Sequence, residues 1–202
     1  MKVLTAPTIA EMVVKKSRFL SEAIPVDSAE KARAIWHSQK LKYDNGGHIV
    51  FAFVVGNSGG ILGCSDDGEP AGTAGRPTLE VVKNSGITNF ILTTARWYGG
   101  IKLGTGGLVK AYTEAAQIAL ENAPTRELQM MAHINFAVPY NLLDQTKKLL
   151  EGLKFEAFEE NYTDNIEFSG RLPEVNQAGL AAFLQDASKG AVLLNIEKTI
   201  LE

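Results

Sequence analysis

Between Leu128 and Ile200 the hydrophobic pattern switches repeatedly between the period of a strand and that of a helix, and this alternation constrains the fold more than any other feature. Leu128, Met130, Ala132, Ile134 and Phe136 alternate with Gln129, Met131, His133 and Asn135, which predicts a strand with one buried face. Pro139 suits a first helical position. Leu142, Thr146, Leu149 and Leu153, with Leu143 and Leu150 beside them, then form a helical stripe that Gly152 can close. Strands are expected at 154–162 and 165–172, separated by Thr163-Asp164-Asn165. Pro173 opens a second helix to about Ala187, and a last strand follows Gly190 over 191–200. The order β-α-β-β-α-β is the split βαβ, ferredoxin-like arrangement.

The preceding residues have a different composition. Glycine concentrates between Gly46 and Gly107, and only four of the 19 follow residue 124. Residues 1–124 carry 13 Lys/Arg against 11 Asp/Glu, whereas 125–202 carry 7 against 12. A boundary is therefore placed at Asn122-Ala123-Pro124-Thr125, where a proline bars continuation of a helix, giving domains 1–124 and 125–202. In the first, strands are expected at 9–14 and 18–26. Asp27 and Glu30 read as a capping box for a helix to about Lys40, with Ala32, Ile35 and Trp36 inward. Strands 48–56 and 61–65 read as a hairpin around Gly56-Asn57-Ser58-Gly59-Gly60. A short helix runs from Pro77 to Gly86, and a doubly buried strand spans 90–95. The last helix, about Thr105–Glu121, presents Leu108, Tyr112, Ala115 and Ala119 as its packing stripe. The fold class is α+β.

With 45% hydrophobic and 21% charged residues, disorder, collagen and coiled coil are excluded. No apolar run approaches the ~20 residues of a membrane span, and the opening Met1–Lys16 has no signal-peptide apolar core. The single cysteine, Cys64, permits no intrachain disulfide and suits a reducing compartment. A cytoplasmic protein with no membrane partner is expected. The net charge of −3 does not by itself announce nucleic acid.

Two segments break the packing regularities. In Ser65-Asp66-Asp67-Gly68-Glu69-Pro70-Ala71-Gly72-Thr73-Ala74-Gly75-Arg76-Pro77, three carboxylates crowd within four residues. They need compensation from an arginine, backbone N–H groups or a metal. The turn reads as a solvated bend, an anion- or partner-recognition loop, or a divalent-cation loop. It lacks calcium-loop spacing, and no metal or cofactor is assigned. The second segment, Arg96-Trp97-Tyr98-Gly99-Gly100-Ile101-Lys102-Leu103-Gly104-Thr105-Gly106-Gly107-Leu108-Val109-Lys110, has three cations and no acid. A glycine-rich turn feeding a helix N-terminus exposes N–H groups to which the helix dipole adds roughly half a positive charge. Arg96, Lys102 and Lys110 strengthen that attraction for phosphate or carboxylate, and Trp97 and Tyr98 either stack on a base or fill the core. The alternative is a turn that needs glycine for steric reasons alone. Neither a P-loop nor a complete Rossmann glycine pattern is present. Arg96 or Arg76 is expected close to Asp66 or Asp67. Cys64 reads as a packed small residue, and His37, His48 and His133 show no metal-ligand spacing. His48 is either an ordinary strand-edge residue or reaches the acidic turn. The acids Glu156, Glu159, Glu160, Asp164 and Glu167 read as a solvated rim that disfavours nucleic acid.

These two segments, with the early Lys15-Lys16-Ser17-Arg18-Phe19 and Pro25-Val26, closely resemble the signature of the IMPACT family over roughly residues 9–121. The added β-α-β-β-α-β unit is similar to that of the bacterial, YigZ-type branch. The resemblance implies a first domain folded like the second domain of a small-subunit ribosomal protein, an α/β sandwich also seen in elongation factor G and small-molecule kinases. It implies a second domain similar to the last domain of elongation factor G. Two departures matter. Tyr43 stands where the family pattern has the first histidine of a spaced pair, leaving His48; the usual Thr-Arg-Tyr-Phe-Gly-Gly becomes Ala95-Arg96-Trp97-Tyr98-Gly99-Gly100. Eukaryotic members of the family regulate translation. The expectation is thus a translation-associated binding protein, not an enzyme, recognising RNA, the ribosome or a protein partner through the cationic turn. The alternative is an enzyme or sensor of a small phosphorylated ligand, with magnesium held by Asp66, Asp67 or Glu69. A third possibility is an adaptor pairing through an exposed sheet edge. No catalytic residue is assigned.

Overall fold

The computed structural model describes residues 1–43 and 47–201; Asp44, Asn45, Gly46 and Glu202 lie outside them, and with them the Gly46 end of the glycine-rich region. The chain divides into two units, Met1–Leu128 and Gln129–Glu202. The first contains β1 (Lys2–Leu4), β2 (Thr8–Val14), β3 (Ser17–Pro25), α1 (Ala29–Lys42), β4 (His48–Val55), β5 (Ile61–Ser65), α2 (Gly75–Asn84), β6 (Ile87–Thr88), β7 (Phe90–Trp97), α3 (Thr105–Glu121) and β8 (Thr125–Glu127). The second contains β9 (Met130–Val138), a 3-10 turn (Tyr140–Leu142), α4 (Leu143–Gly152), β10 (Glu156–Tyr162), β11 (Ile166–Pro173), α5 (Glu174–Ala187) and β12 (Asn195–Leu201). The architecture is α+β, with two units.

In the first unit the main sheet has the order β2-β3-β7-β4-β5, antiparallel throughout. Its central strands β4 and β7 are apolar on both faces because helices cover both sides. Phe90 and Leu92 pack with Ala116 and Ala119 of α3 and Val82 of α2. Ile91, on the opposite face, packs with Ala32, Ile35 and Trp36 of α1. The alternation along β7 therefore sends Phe90, Leu92, Thr94 and Arg96 toward α2 and α3, and Trp97 toward the α1 side. A small second sheet, β6-β1-β8, pairs Lys2 with both Ile87 and Glu127.

Most element boundaries match the sequence pattern, and the differences have local causes. The N-cap of α1 is Ser28, whose side chain accepts from the Lys31 amide at 3.2 Å, rather than Asp27; Asp27 instead pairs with the Lys31 ammonium. The helix α2 begins at Gly75, two residues before Pro77, because its first amides are capped from a distance by Asp66. The strand β7 continues through Arg96 and Trp97, paired to Phe19 and Arg18 respectively.

The second unit has the sheet order β10-β11-β9-β12, the ferredoxin-like order. Its core combines Ile134, Phe136 and Phe168 of the sheet with Leu150 of α4 and Leu180 and Leu184 of α5. The final strand begins at Asn195 rather than 191, because the Val192 amide donates to Ser188 Oγ in the turn after α5 instead of to a neighbouring strand.

Candidate anion-binding site

The acidic turn is ordered by its own carboxylates. Asp66 accepts hydrogen bonds from the backbone amides of Gly72 (2.8 Å), Ala74 (3.0 Å) and Gly75 (2.8 Å). It thus closes the turn and neutralises the positive end of α2. Partial burial works to raise its pKa, but the three amides outweigh this and hold the carboxyl below its ordinary value. Asp67 accepts from the Ile49 amide (2.8 Å) and from the Lys40 ammonium. Its carbonyl accepts a 2.7 Å hydrogen bond from Nδ1–H of His48, which leaves Nε2 as the other ring nitrogen available to a partner. His48 therefore does reach the acidic turn. Asp67 (φ 43°) and Gly68 (φ 89°) both occupy the left-handed region, which reverses the chain at this point. Ser65 Oγ accepts from the Asp67 amide, and Thr73 Oγ1 donates to the Pro70 carbonyl at 2.7 Å.

Glu69 is the member of the turn that joins the second segment. Its Oε1 accepts from Nη1 of Arg96 (2.7 Å) and from the Tyr112 hydroxyl (2.8 Å). The pair is desolvated: the side chains of Arg96 and Glu69 are 9% and 3% exposed. Burial first, then the Glu69 carboxylate, drives the Tyr112 phenol far above its ordinary range, so it serves as a permanent donor. The Arg96 guanidinium has the Phe19 ring at 5.7 Å and the Tyr98 ring at 5.8 Å to their centroids. Its Nη2 has only a 3.5 Å contact with Ser17 Oγ, and its buried Nε has no hydrogen-bond partner among the described residues. The expected proximity of Arg96 or Arg76 to Asp66 or Asp67 is thus replaced by Arg96–Glu69 and Lys40–Asp67. The cause is register: Arg96 pairs with His48 and Phe19 across the sheet and projects from the α2/α3 face, where Glu69 lies.

Beyond β7 the glycines divide by role. A Cβ on Gly99 would fall 2.0 Å from the Lys16 carbonyl, and the Gly99 amide donates to Ser17 Oγ at 3.3 Å; this glycine anchors the segment to the β2–β3 turn. Gly100 (φ 85°) and Gly104 (φ 75°) need left-handed backbone. Gly107 packs against Leu103. At Gly100, Gly104 and Gly106, by contrast, an added Cβ meets nothing within 4 Å, and all three residues are exposed. Gly104 caps α3 with no side-chain hydrogen bond, and Thr105 and Gly106 are exposed. The first amides of this 17-residue helix have no intrahelical acceptor.

A cleft of about 580 Å³ lies here, bounded by His48, Glu69, Arg96, Tyr98, Lys102 and Thr105, with Pro70, Leu103 and Leu108 as its apolar wall. Other residues singled out in the sequence lie elsewhere. Trp97 projects from the other face of β7, against Tyr43 (5.7 Å) with Arg18 over its ring (4.7 Å). Lys110 borders a separate depression on α3 with Thr113, Glu114 and Gln117. Arg76, exposed on α2, borders the groove between α2 and α3. Tyr112 belongs to the site although its position reads as helix packing, and Ser17, just ahead of the expected strand 18–26, adds its hydroxyl. Among the described residues, no group of three or more His, Cys, Asp and Glu side chains converges as metal ligands would.

A family model for the Impact N-terminal domain matches residues 15–120, which contain every residue of this cleft. The chain belongs to the IMPACT family. A second model, a domain of unknown function (DUF1949), matches residues 136–191 of the ferredoxin-like unit. The chain is 35% identical to "IMPACT family member YigZ" of Escherichia coli (strain K12) over 196 residues, 96% of each chain. It is 31% identical to "IMPACT family member YvyE" of Bacillus subtilis (strain 168), covering 89% of this chain and 83% of that one. A solved structure titled "Crystal structure of an hypothetical protein" superimposes with a TM-score of 0.63 at 33% identity, covering 98% of this chain and 97% of the other. No helix among the described residues is long and apolar enough to cross a membrane.

Proposed function

We propose that this IMPACT-family chain is a translation-associated binding protein whose first unit recognises RNA phosphates at the cleft beside α3. The observation that carries the reading is the exposed N-terminus of α3 at Gly104 and Thr105, which shares one cleft with Lys102. Uncapped amides, a helix dipole and the Lys102 ammonium attract negative charge, while Arg96 is already balanced by Glu69. Lys15 and Lys16 enlarge the field: both are exposed on the β2–β3 turn whose backbone touches Gly99. Tyr98, 58% exposed at the rim, offers a stacking face for a base. Of the acids in the turn, Glu69 lines the cleft but is paired with Arg96, and Asp66 is turned onto the amides of α2. This arrangement answers the near-neutral net charge, because the relevant field is local. The magnesium-dependent alternative loses its ligand set, since Asp66, Asp67 and Glu69 are each held by a different group.

The test is the salt dependence of binding to a single-stranded RNA and to purified ribosomal subunits. Replacing Lys15, Lys16 and Lys102 together by alanine should flatten the slope of log K against log salt by about 2, at roughly 0.7 for each phosphate no longer neutralised. A slope equal to that of the unmodified protein would place RNA binding elsewhere.

A further inference from the structure

We infer that β2 is the pairing edge of a symmetric dimer, in which two copies of this chain join their main sheets through antiparallel β2 strands. An edge strand offers a row of unpaired N–H and C=O groups, and folded proteins blunt such rows with charge, bulges, proline or brevity. Every other edge strand among the described residues is short, bulged or charged. The strand β10 carries Glu156, Glu159 and Glu160 and is bulged between Ala157 and Glu159. The strand β12 carries Glu197 and Lys198 at its own bulge. In the smaller sheet β6 and β8 have two and three residues, and β5 has five with Gly63 at its middle. The seven residues of β2, by contrast, pair with β3 in unbroken register and include no proline or lysine. Their single charge, Glu11, is bound through both carboxylate oxygens by Arg18 of β3, at 2.8 Å each.

The direction of the free groups follows from the turn. Lys15 and Lys16, at φ 44° and 65°, form a two-residue connection between the paired Val14 and Ser17. In such a hairpin the flanking residues exchange hydrogen bonds. Ladder alternation then turns the N–H and C=O groups of Ile9, Glu11 and Val13 outward. Their side chains lie on the face where α1 covers β4 and β7 but not β2, and Ile9 and Val13 are 64% and 65% exposed. On the opposite face Ala10, Met12 and Val14 pack under α3 yet are only half-buried, so that helix leaves the edge open. What fits this edge is β2 itself. Antiparallel pairing about a two-fold axis at Glu11 sets Ile9 opposite Val13 of the other copy, and Ala10 opposite Met12. The joint is then apolar on both faces, with a small residue against a large one on the helical side. The two Glu11 carboxylates that meet on the axis are each already paired with their own arginine. One strand from each copy is a small interface, which places the association at about micromolar strength or weaker.

Sedimentation equilibrium of the full chain, from about 1 μM to 1 mM, reads that association directly. A monomer–dimer equilibrium is expected, with its dissociation constant inside this range. Ile9→Lys and Val13→Glu each place a charge twice in the joint, on side chains that face solvent in the monomer. Each alone should weaken dimerisation about tenfold or more. Combined in one chain, they oppose a lysine to a glutamate at both ends of the pairing. The double variant should therefore dimerise within about threefold of the unmodified protein. A monomer at every concentration would overturn the inference and leave the edge to a strand of another protein. A dimer indifferent to both single substitutions would lie elsewhere on the molecule and overturn it equally. Single variants that weaken the dimer, with no rescue by their combination, would overturn the two-fold pairing of β2.

Discussion

Gly106 separates a steric from a functional use of glycine. It lies in the first turn of α3 with room for a Cβ and without left-handed backbone, so the fold does not require glycine there. Alanine should therefore raise stability by about 0.5–1 kcal/mol. It should also weaken RNA binding, because a methyl group would stand over the amides that a phosphate approaches. Thermal unfolding and a binding titration on one preparation check both halves, and stabilisation with undiminished binding would contradict the assignment. Asp66 makes a different prediction. Its carboxyl titrates below the ordinary value of 3.8, so its contribution is complete above that pH and fades as pH falls through the window beneath it. Asp66→Ala should cost about 1–2 kcal/mol at neutral pH, the range of a lost helix cap. The deficit relative to the unmodified protein should shrink in acid, which denaturant titrations at neutral pH and near pH 3 would resolve.

At the scale of elements, the site is a junction of the acidic turn, the end of β7 and the middle of α3, fastened by Glu69, Arg96 and Tyr112. Breaking one partner strands the other. Glu69→Leu alone should cost about 3–5 kcal/mol, whereas adding Arg96→Met should recover much of that loss. A double variant no more stable than the single one would mean that the pair is not coupled. Above pH 10 the unfolded chain ionises Tyr112 while the folded chain does not, so stability should fall with rising pH there, and less steeply in Tyr112→Phe. The junction also marks how far the site is legible in the sequence. Arg96, Lys102 and the glycines stand out because they interrupt apolar periodicity. Tyr112 does not, since it occupies the packing stripe of α3 and its hydroxyl acquires a role only where the turn crosses the helix. Trp97 adjoins Arg96 in sequence, yet strand alternation sends it to the other face. The apolar run 90–95 stops short of it, so only the observed extension of β7 assigns its side.

Across the whole molecule, the βαββαβ half is readable because each element is long enough to show its period. The strands β1, β6 and β8, of three, two and three residues, carry no period and exist only through their pairing. Through β8, Thr125–Glu127 pair with Leu4–Lys2, so the first unit closes on itself at Leu128. A fragment ending at residue 128 should fold with a single cooperative transition. One ending at 124 loses these ladder hydrogen bonds and should unfold several degrees lower, about what 1–2 kcal/mol produces in a domain of this size. Equal midpoints would show that β8 adds nothing to that unit.

Phosphate binding at the N-terminus of α3 is read out by amide NMR of the full chain during titration with a 5′-phosphorylated RNA strand. Saturable shifts should concentrate at Gly104, Thr105 and Gly106. Saturable binding that leaves those signals in place and moves others would contradict it.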